Sequence, residues 1–212
     1  MLHKGIHSRG YLPHWDFAGS VQGITFRLAD AVPAQVVNEW RGELQFSLLS
    51  TDRDVNCKAY ADLHGKIAKY EDAGHGSCLL ADPEYGGIVQ DALIAGHGGN
   101  YKLIDWCVMP NHVHVLVRLL GTASLGFIVK RWKATTALQI NRLMENRGSL
   151  WMRDYHDRLI RDLDHLENSK AYIRFNPVRA GLCGTPKEWR FSSAGRGWDC
   201  ETIPSLPPGQ AK

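Results

Sequence analysis

No run of apolar residues in this sequence approaches the ~20 needed to cross a bilayer, and residues 1–9 are polar, without the apolar core of a secretory signal. The pattern argues against a membrane protein. No Cys-x-x-Cys pair occurs either: Cys57, Cys78, Cys107, Cys183 and Cys200 stand far apart and are odd in number. That spacing excludes the usual zinc-ribbon site and a secreted disulfide framework, and it predicts reduced thiols in a cytoplasmic protein. Nor does one sign of charge dominate, since the formal net charge is only +3 over 212 residues. With 44% hydrophobic and 22% charged residues the composition is that of an ordinary globular protein, and the length predicts one domain over residues 1–212.

The charge is nevertheless uneven. Residues 130–190 carry thirteen Lys and Arg against seven Asp and Glu, a balance of +6, while the remainder balances at −3. A basic second half points to a polyanionic partner, although solvated helices often carry such charge.

Ile24, Phe26 and Leu28 alternate with the period of two of a half-buried strand. Val36, Val37, Trp40 and Leu44, then Tyr60, Leu63, Ile67 and Tyr70, have helical spacing, so residues 33–80 read as an inserted helical hairpin with no role assigned. Asp82 and Pro83 open a helix through an N-cap carboxylate and a first-turn proline. Residues 101–109 form a strand by composition, and Pro110-Asn111 turns it tightly into a second strand over 112–120. Residues 121–124 open a long amphipathic helix ended by Gly148, and residues 150–160 read as a further strand. A last helix starts near Asp162 or Asp164 and stops by Asn176, because Pro177 disfavours helical geometry in its predecessor. Residues 183–212 form a Trp-, Pro- and Gly-rich tail. The order β-α-β-β-α-β plus a C-terminal helix predicts an α+β, ferredoxin-like antiparallel sheet.

Two patterns carry chemistry. His112 and His114 are two apart on a strand, so both imidazoles project to one face, where they can share a divalent metal or simply satisfy ordinary hydrogen bonds. Tyr172 and Asn176 are four apart on the last helix and share a face. A tyrosine hydroxyl beside an amide oxygen is a nucleophile with a metal ligand, or a packed tyrosine with a C-terminal cap. His165 and Ser169 fall on that same face.

The segments around Trp106, Pro110, Asn111, His112 and His114, around Trp132-Lys133 and Leu150-Trp151, around Tyr172, Asn176, Pro177 and Gly181, and Phe191-Ser192-Ser193 resemble the HUH single-tyrosine transposases. Within that superfamily they are most similar to the REP-associated tyrosine transposases. The resemblance runs closely from Trp106 to Ser193 and loosely back to Thr25, Phe26 and Arg27. It implies a DNA transposase and endonuclease with Tyr172 as nucleophile. It also implies a divalent metal ion, Mg2+ or Mn2+, on His112, His114 and Asn176. Many relatives carry Gln at the last position, and Asn is one methylene shorter. The implied partner is single-stranded or hairpin DNA at palindromic repeats, cut to a 5′-phosphotyrosine and a free 3′-hydroxyl. No membrane is implied, the protein is expected in the cytoplasm with the nucleoid, and it is expected as a monomer or a homodimer.

Lys130, Arg131 and Lys133 are candidates to track phosphates, as are Arg174 and Arg179 beside the tyrosine. Trp132, Trp151 and Tyr155 are expected to stack splayed bases, although Trp132 lies on the apolar stripe, where a tryptophan more often belongs to the core, and the aromatic arm at residues 9–16 would touch DNA or pack across the sheet. Two alternatives keep the fold: a non-catalytic regulator that binds hairpins, and a hydrolytic nuclease in which water attacks and Tyr172 only orients the phosphate.

Overall fold

A computed structural model of the chain describes residues 5–8, 13–33, 35–36, 38–40, 42 and 53–198. Strands β1 (Gly5–Ser8) and β2 (Pro13–Asp16) pair as an antiparallel ribbon. The main sheet is built from β3 (Val21–Arg27), β4 (Tyr101–Val108), β5 (His112–Leu119) and β6 (His156–Leu159). Its spatial order is β4-β5-β3-β6, and every neighbouring pair is antiparallel. β3 and β4 are thus separated by β5, and β5 and β6 by β3, which is the split crossover of the expected ferredoxin-like α+β fold.

Helix α1 (Arg53–Asp72) and helix α2 (Pro83–Ile94) lie between β3 and β4, α3 (Leu125–Leu143) follows β5, and α4 (Leu163–Arg179) follows β6. Each of the last three starts on a side chain that satisfies an orphan amide. Asp82 accepts from Glu84 N at 2.8 Å, Ser124 Oγ from Phe127 N at 3.2 Å, and Asp162 from His165 N at 2.7 Å. Among the described residues no helix is long and apolar enough to cross a membrane, and Cys78, Cys107 and Cys183 are free thiols.

The alternation of β5 divides its side chains between two cores. Val113, Val115, Val117 and Leu119 meet Val89 and Leu93 of α2 and Leu125, Ile128, Val129 and Trp132 of α3. On the other face Leu116 joins Ile104, Cys107, Leu166 and Ile173 beneath α4. His112 and His114 share the Leu116 parity, so they open onto the α4 face.

Three expectations need correction. The strand expected over 150–160 is shorter: only His156–Leu159 pairs regularly, preceded by one bridge from Trp151 to Leu28. Trp132, Trp151 and Tyr155 are 3%, 4% and 6% exposed, so all three belong to the core and none is open to a base. Trp132 Nε1 donates to the Tyr101 hydroxyl at 2.8 Å and Trp151 Nε1 to Thr136 Oγ1 at 2.9 Å, which satisfies both indoles inside it. Third, α4 does not stop at Asn176; it runs through Pro177 to Arg179. Pro177 lies in the last turn, where the missing N–H affects only one carbonyl, and the chain leaves through Gly181 at φ 70°.

Both arms of the inserted segment are helical where described, at residues 35, 36, 38–40 and 42 of the first and throughout α1, and residues 73–78 leave α1 as turn and irregular chain. Trp40 meets Tyr70 edge-on at 5.7 Å and packs with Leu63 and Ile67, so the two arms share a small core of their own. Residues 9–12 of the aromatic arm, the side chains of its residues 13–15, the Cys57 side chain and residues 199–212, Cys200 among them, lie outside the described residues.

Candidate metal and nucleophile site

β5 and α4 bring the four expected residues into one cluster. Nε2 of His112 lies 3.0 Å from Nε2 of His114, and Asn176 Nδ2 lies 3.2 Å from that same His114 atom. The Tyr172 ring stands edge-on to His114 with centroids 5.3 Å apart. His112, His114 and Asn176 are buried, whereas Tyr172 is partly open to solvent.

The neighbours fix how the imidazoles present themselves. Asn111 Nδ2 donates to the Glu71 carbonyl at 3.0 Å and to the His75 carbonyl at 2.9 Å, so its Oδ1 must be the atom 2.7 Å from His112 Nδ1. An amide oxygen only accepts, so His112 carries its proton on Nδ1 and turns the Nε2 lone pair into the cluster. Thr25 Oγ1 sits 2.9 Å from His114 Nδ1 and can hold His114 in the same tautomer. Burial, with His114 and Arg27 adding to it, keeps the His112 imidazole well below its usual value, and burial holds His114 down at about 4. Both rings are therefore neutral ligands at neutral pH.

This donor set fits a divalent cation. Two donors side by side on an octahedron of ~2.1 Å bonds lie ~3.0 Å apart, the separation of the two Nε2 atoms. Asn176 Oδ1 is buried and accepts no hydrogen bond from the described residues. A half-turn of the amide exchanges Nδ2 for that oxygen and points it where His114 Nε2 already looks.

Residues outside the expected set complete the cluster. α1 ends beside it: Asp72 Oδ1 lies 3.7 Å from His112 Nε2, and it too is buried without a hydrogen-bond partner among the described residues. Glu71, one residue earlier, is buried in an ion pair with Arg27 at the end of β3. Burial pushes the Asp72 carboxyl up, opposed by the Asn176 amide beside the carboxyl and by the Arg179 charge, while Oδ1 itself accepts no hydrogen bond from the described residues. The insertion that the sequence left without a role is thus part of the site. No local signal in residues 33–80 marks Asp72, because its position depends on where a twenty-residue helix ends relative to a strand forty residues later.

Tyr172 is pushed up to about 12, first by burial and then by the charges of Asp72 and Glu71, with Arg179 and hydrogen bonding from Asn176 working the other way. The Arg179 guanidinium lies 5.4 Å from the Tyr172 ring centroid and is exposed, so it adjoins the nucleophile candidate as expected. Arg174 is partly committed elsewhere: its Nε donates to Asp105 at 2.6 Å. Lys130 and Arg131 are exposed on α3, which packs on the sheet face opposite His112 and His114. Lys133 is not a free cation at all, since its Nζ donates to the Met152 carbonyl at 2.5 Å and the Arg153 carbonyl at 2.9 Å. Burial brings its ammonium down to about 8. That lysine ties α3 to the segment ahead of β6. His165 and Ser169 lie toward the start of α4, where Ser169 Oγ donates to the His165 carbonyl at 2.7 Å.

Residues 95–176 match the family described as IS200-like transposases, a span that closes on Asn176. A protein of Haemophilus influenzae named as a REP-associated tyrosine transposase is 27% identical over 114 residues, 49% of this chain and 65% of the relative. The matched region therefore spans just under two thirds of that relative's length. Among solved structures, one of a REP-associated tyrosine transposase bound to a REP hairpin superposes with a TM-score of 0.56 at 15% identity, over 92% of this chain and 94% of the other. The resemblance drawn from the sequence and the α+β fold are both borne out.

Proposed function

We propose that this chain, similar to REP-associated tyrosine transposases and matching the IS200-like family over residues 95–176, is a metal-dependent endonuclease and strand transferase acting on single-stranded hairpin DNA. The observation that carries the proposal is the convergence of Tyr172 and Asn176 from α4 on the paired Nε2 atoms of His112 and His114. Hairpin DNA is the partner seen in the solved relative, and it is extended to this chain as part of the proposal.

A divalent cation held by His112, His114 and Asn176 would polarise a phosphodiester oxygen and offset the negative field around Tyr172. The protein supplies the rest. Asn111 and Thr25 hold the two imidazoles so that both lone pairs face inward, which preorganises the site before DNA arrives. Tyr172 Oη forms a bond to phosphorus as the bond to the 3′ oxygen breaks. The phenolic proton passes to water and the departing oxygen takes one up, leaving a 5′-phosphotyrosine and a free 3′-hydroxyl. Arg179 supplies positive charge on the side of the ring open to solvent and favours the phenolate. Covalent capture retains the phosphodiester's bond energy for rejoining, which hydrolysis would discard.

In the hydrolytic alternative water attacks the phosphorus and Tyr172 only orients the phosphate. One experiment separates the two. The chain is incubated with single-stranded hairpins from DNA flanking its own gene and Mn2+, then run on denaturing gels. The transferase forms an SDS-resistant adduct whose modified peptide contains Tyr172, and Tyr172→Phe binds the hairpin but neither cleaves it nor forms the adduct. Cleavage by Tyr172→Phe at the wild-type rate, with no adduct in the wild type, would establish hydrolysis instead.

A further inference from the structure

The cluster contains one more oxygen with nothing to bind. Asp72 Oδ1 is buried, has no hydrogen-bond partner among the described residues, and lies 3.7 Å from His112 Nε2. The ligand atoms of Asp72, His112 and His114 all fall within 4.8 Å of one another. Donors around a single small cation are separated by ~3.0 Å when adjacent and ~4.2 Å when opposite, so shifts well below a side-chain rotation suffice. We infer that Asp72 is a further metal ligand, an anionic one delivered by the inserted helix, and that metal binding braces this helix against the sheet.

The inference rests on the two-histidine reading above and deepens it. With His112, His114 and Asn176 alone every protein ligand is neutral, and the cation keeps its full double charge. A carboxylate adds the hard, anionic oxygen that Mg2+ and Mn2+ favour over imidazole, and still leaves coordination positions for phosphodiester oxygens.

The Asp72 side chain is 36% exposed, but its Oδ1 faces inward and the backbone that carries it is held on both sides. Glu71 next to it forms the buried ion pair with Arg27, and Asn111 holds the Glu71 and His75 carbonyls on either side of it. The residue that orients His112 therefore also fixes the end of the helix that presents Asp72. One amide side chain joins the strand's ligand to the helix's ligand.

The test uses the full chain without DNA, so that its readout is binding and not cleavage. Mn2+ is titrated by calorimetry into wild type, Asp72→Asn, Asp72→Ala and His112→Ala. Hydrogen exchange of residues 66–72 is followed with and without Mn2+. The expected result is one Mn2+ per wild-type chain, affinity at least fivefold weaker in both Asp72 variants, and Mn2+-dependent slowing of exchange in α1 that is lost in Asp72→Ala. Asp72→Asn keeps the side-chain volume, so it decides the affinity if Asp72→Ala fails to fold. Affinity reduced less than fivefold, or α1 protection retained in a folded Asp72→Ala, overturns the ligand role while leaving the histidines in place. A wild type that binds no Mn2+, or His112→Ala binding as tightly as wild type, overturns the two-histidine site itself and this inference with it.

Discussion

Asn111→Ala removes the side chain on which the order of the site depends, and its cost can be worked from three contacts. Nδ2 reaches two carbonyls at 3.0 and 2.9 Å, and Oδ1 accepts from His112 Nδ1 at 2.7 Å, all in a residue only 1% exposed. At about 1 kcal/mol net for each bond the loss is about 3 kcal/mol, rising toward ~5 kcal/mol because the fully buried His112 N–H is left without a partner. For a chain of this size each kcal/mol lowers the melting temperature by ~2–4 °C, so a fall of roughly 6–12 °C is the smaller expectation. The second effect falls on the metal, because His112 is no longer held to the tautomer that presents Nε2. Loss of such an outer hydrogen bond weakens metal affinity by ~10–100-fold. Asn111→Asp separates the two effects: it keeps an acceptor for His112 but sets a carboxylate oxygen against two carbonyls, so it loses stability more than it frees the ring. Urea denaturation of the metal-free chain and Mn2+ calorimetry read the two quantities. If Asn111→Ala unfolds within 1 kcal/mol of wild type and binds Mn2+ within threefold, the orientation argument is wrong.

The salt dependence of hairpin binding should distinguish the two sheet faces: Arg179→Gln should lower the slope of log K against log salt by ~0.7, whereas Lys130→Gln with Arg131→Gln should leave it unchanged. Lys133→Met should change stability and not the slope; a reduced slope for the α3 double variant would put the DNA path on the other face. Asp105 gives a pH prediction. Burial, opposed by Arg174, pushes its carboxyl from 3.8 up to about 6, so the native state holds the proton more tightly than the unfolded chain. Relative to Asp105→Asn, the wild type should therefore gain stability as the pH falls from about 6 to about 4, by up to ~3 kcal/mol, with no further gain below. Urea denaturation of both proteins at pH 4 and pH 7 checks this, and a wild type that loses ground in acid would mean that the Arg174 pair outweighs burial.

What was legible in the sequence was legible because it is periodic. A strand repeats every two residues, so His112 and His114 had to share a face; a helix repeats every 3.6, so Tyr172 and Asn176 did as well. Charge was harder to read, because its environment is set by tertiary packing. Lys133 looks like its neighbours Lys130 and Arg131, yet it borders the apolar stripe, so its stem runs along the core and its ammonium meets two carbonyls. Asp72 carried no signal at all, since its approach to His112 follows from the ion pair that fixes Glu71 against Arg27.

Pro177 shows how a sound local rule can fail to the benefit of the site. A proline removes one N–H and crowds the preceding turn, which argues for ending the helix at Asn176. Here Ala180 N reaches the Asn176 carbonyl at 3.0 Å and Leu182 N the Pro177 carbonyl at 2.9 Å, so the turn closes around the proline. Had the helix ended three residues earlier, at Asn176, that residue would have been a frayed cap, free to turn its amide to its own backbone. Inside the last turn it stays in register with Tyr172, and its oxygen has no local partner to satisfy it. The helix that is longer than the rule allows is what keeps a nucleophile and an amide ligand on one face.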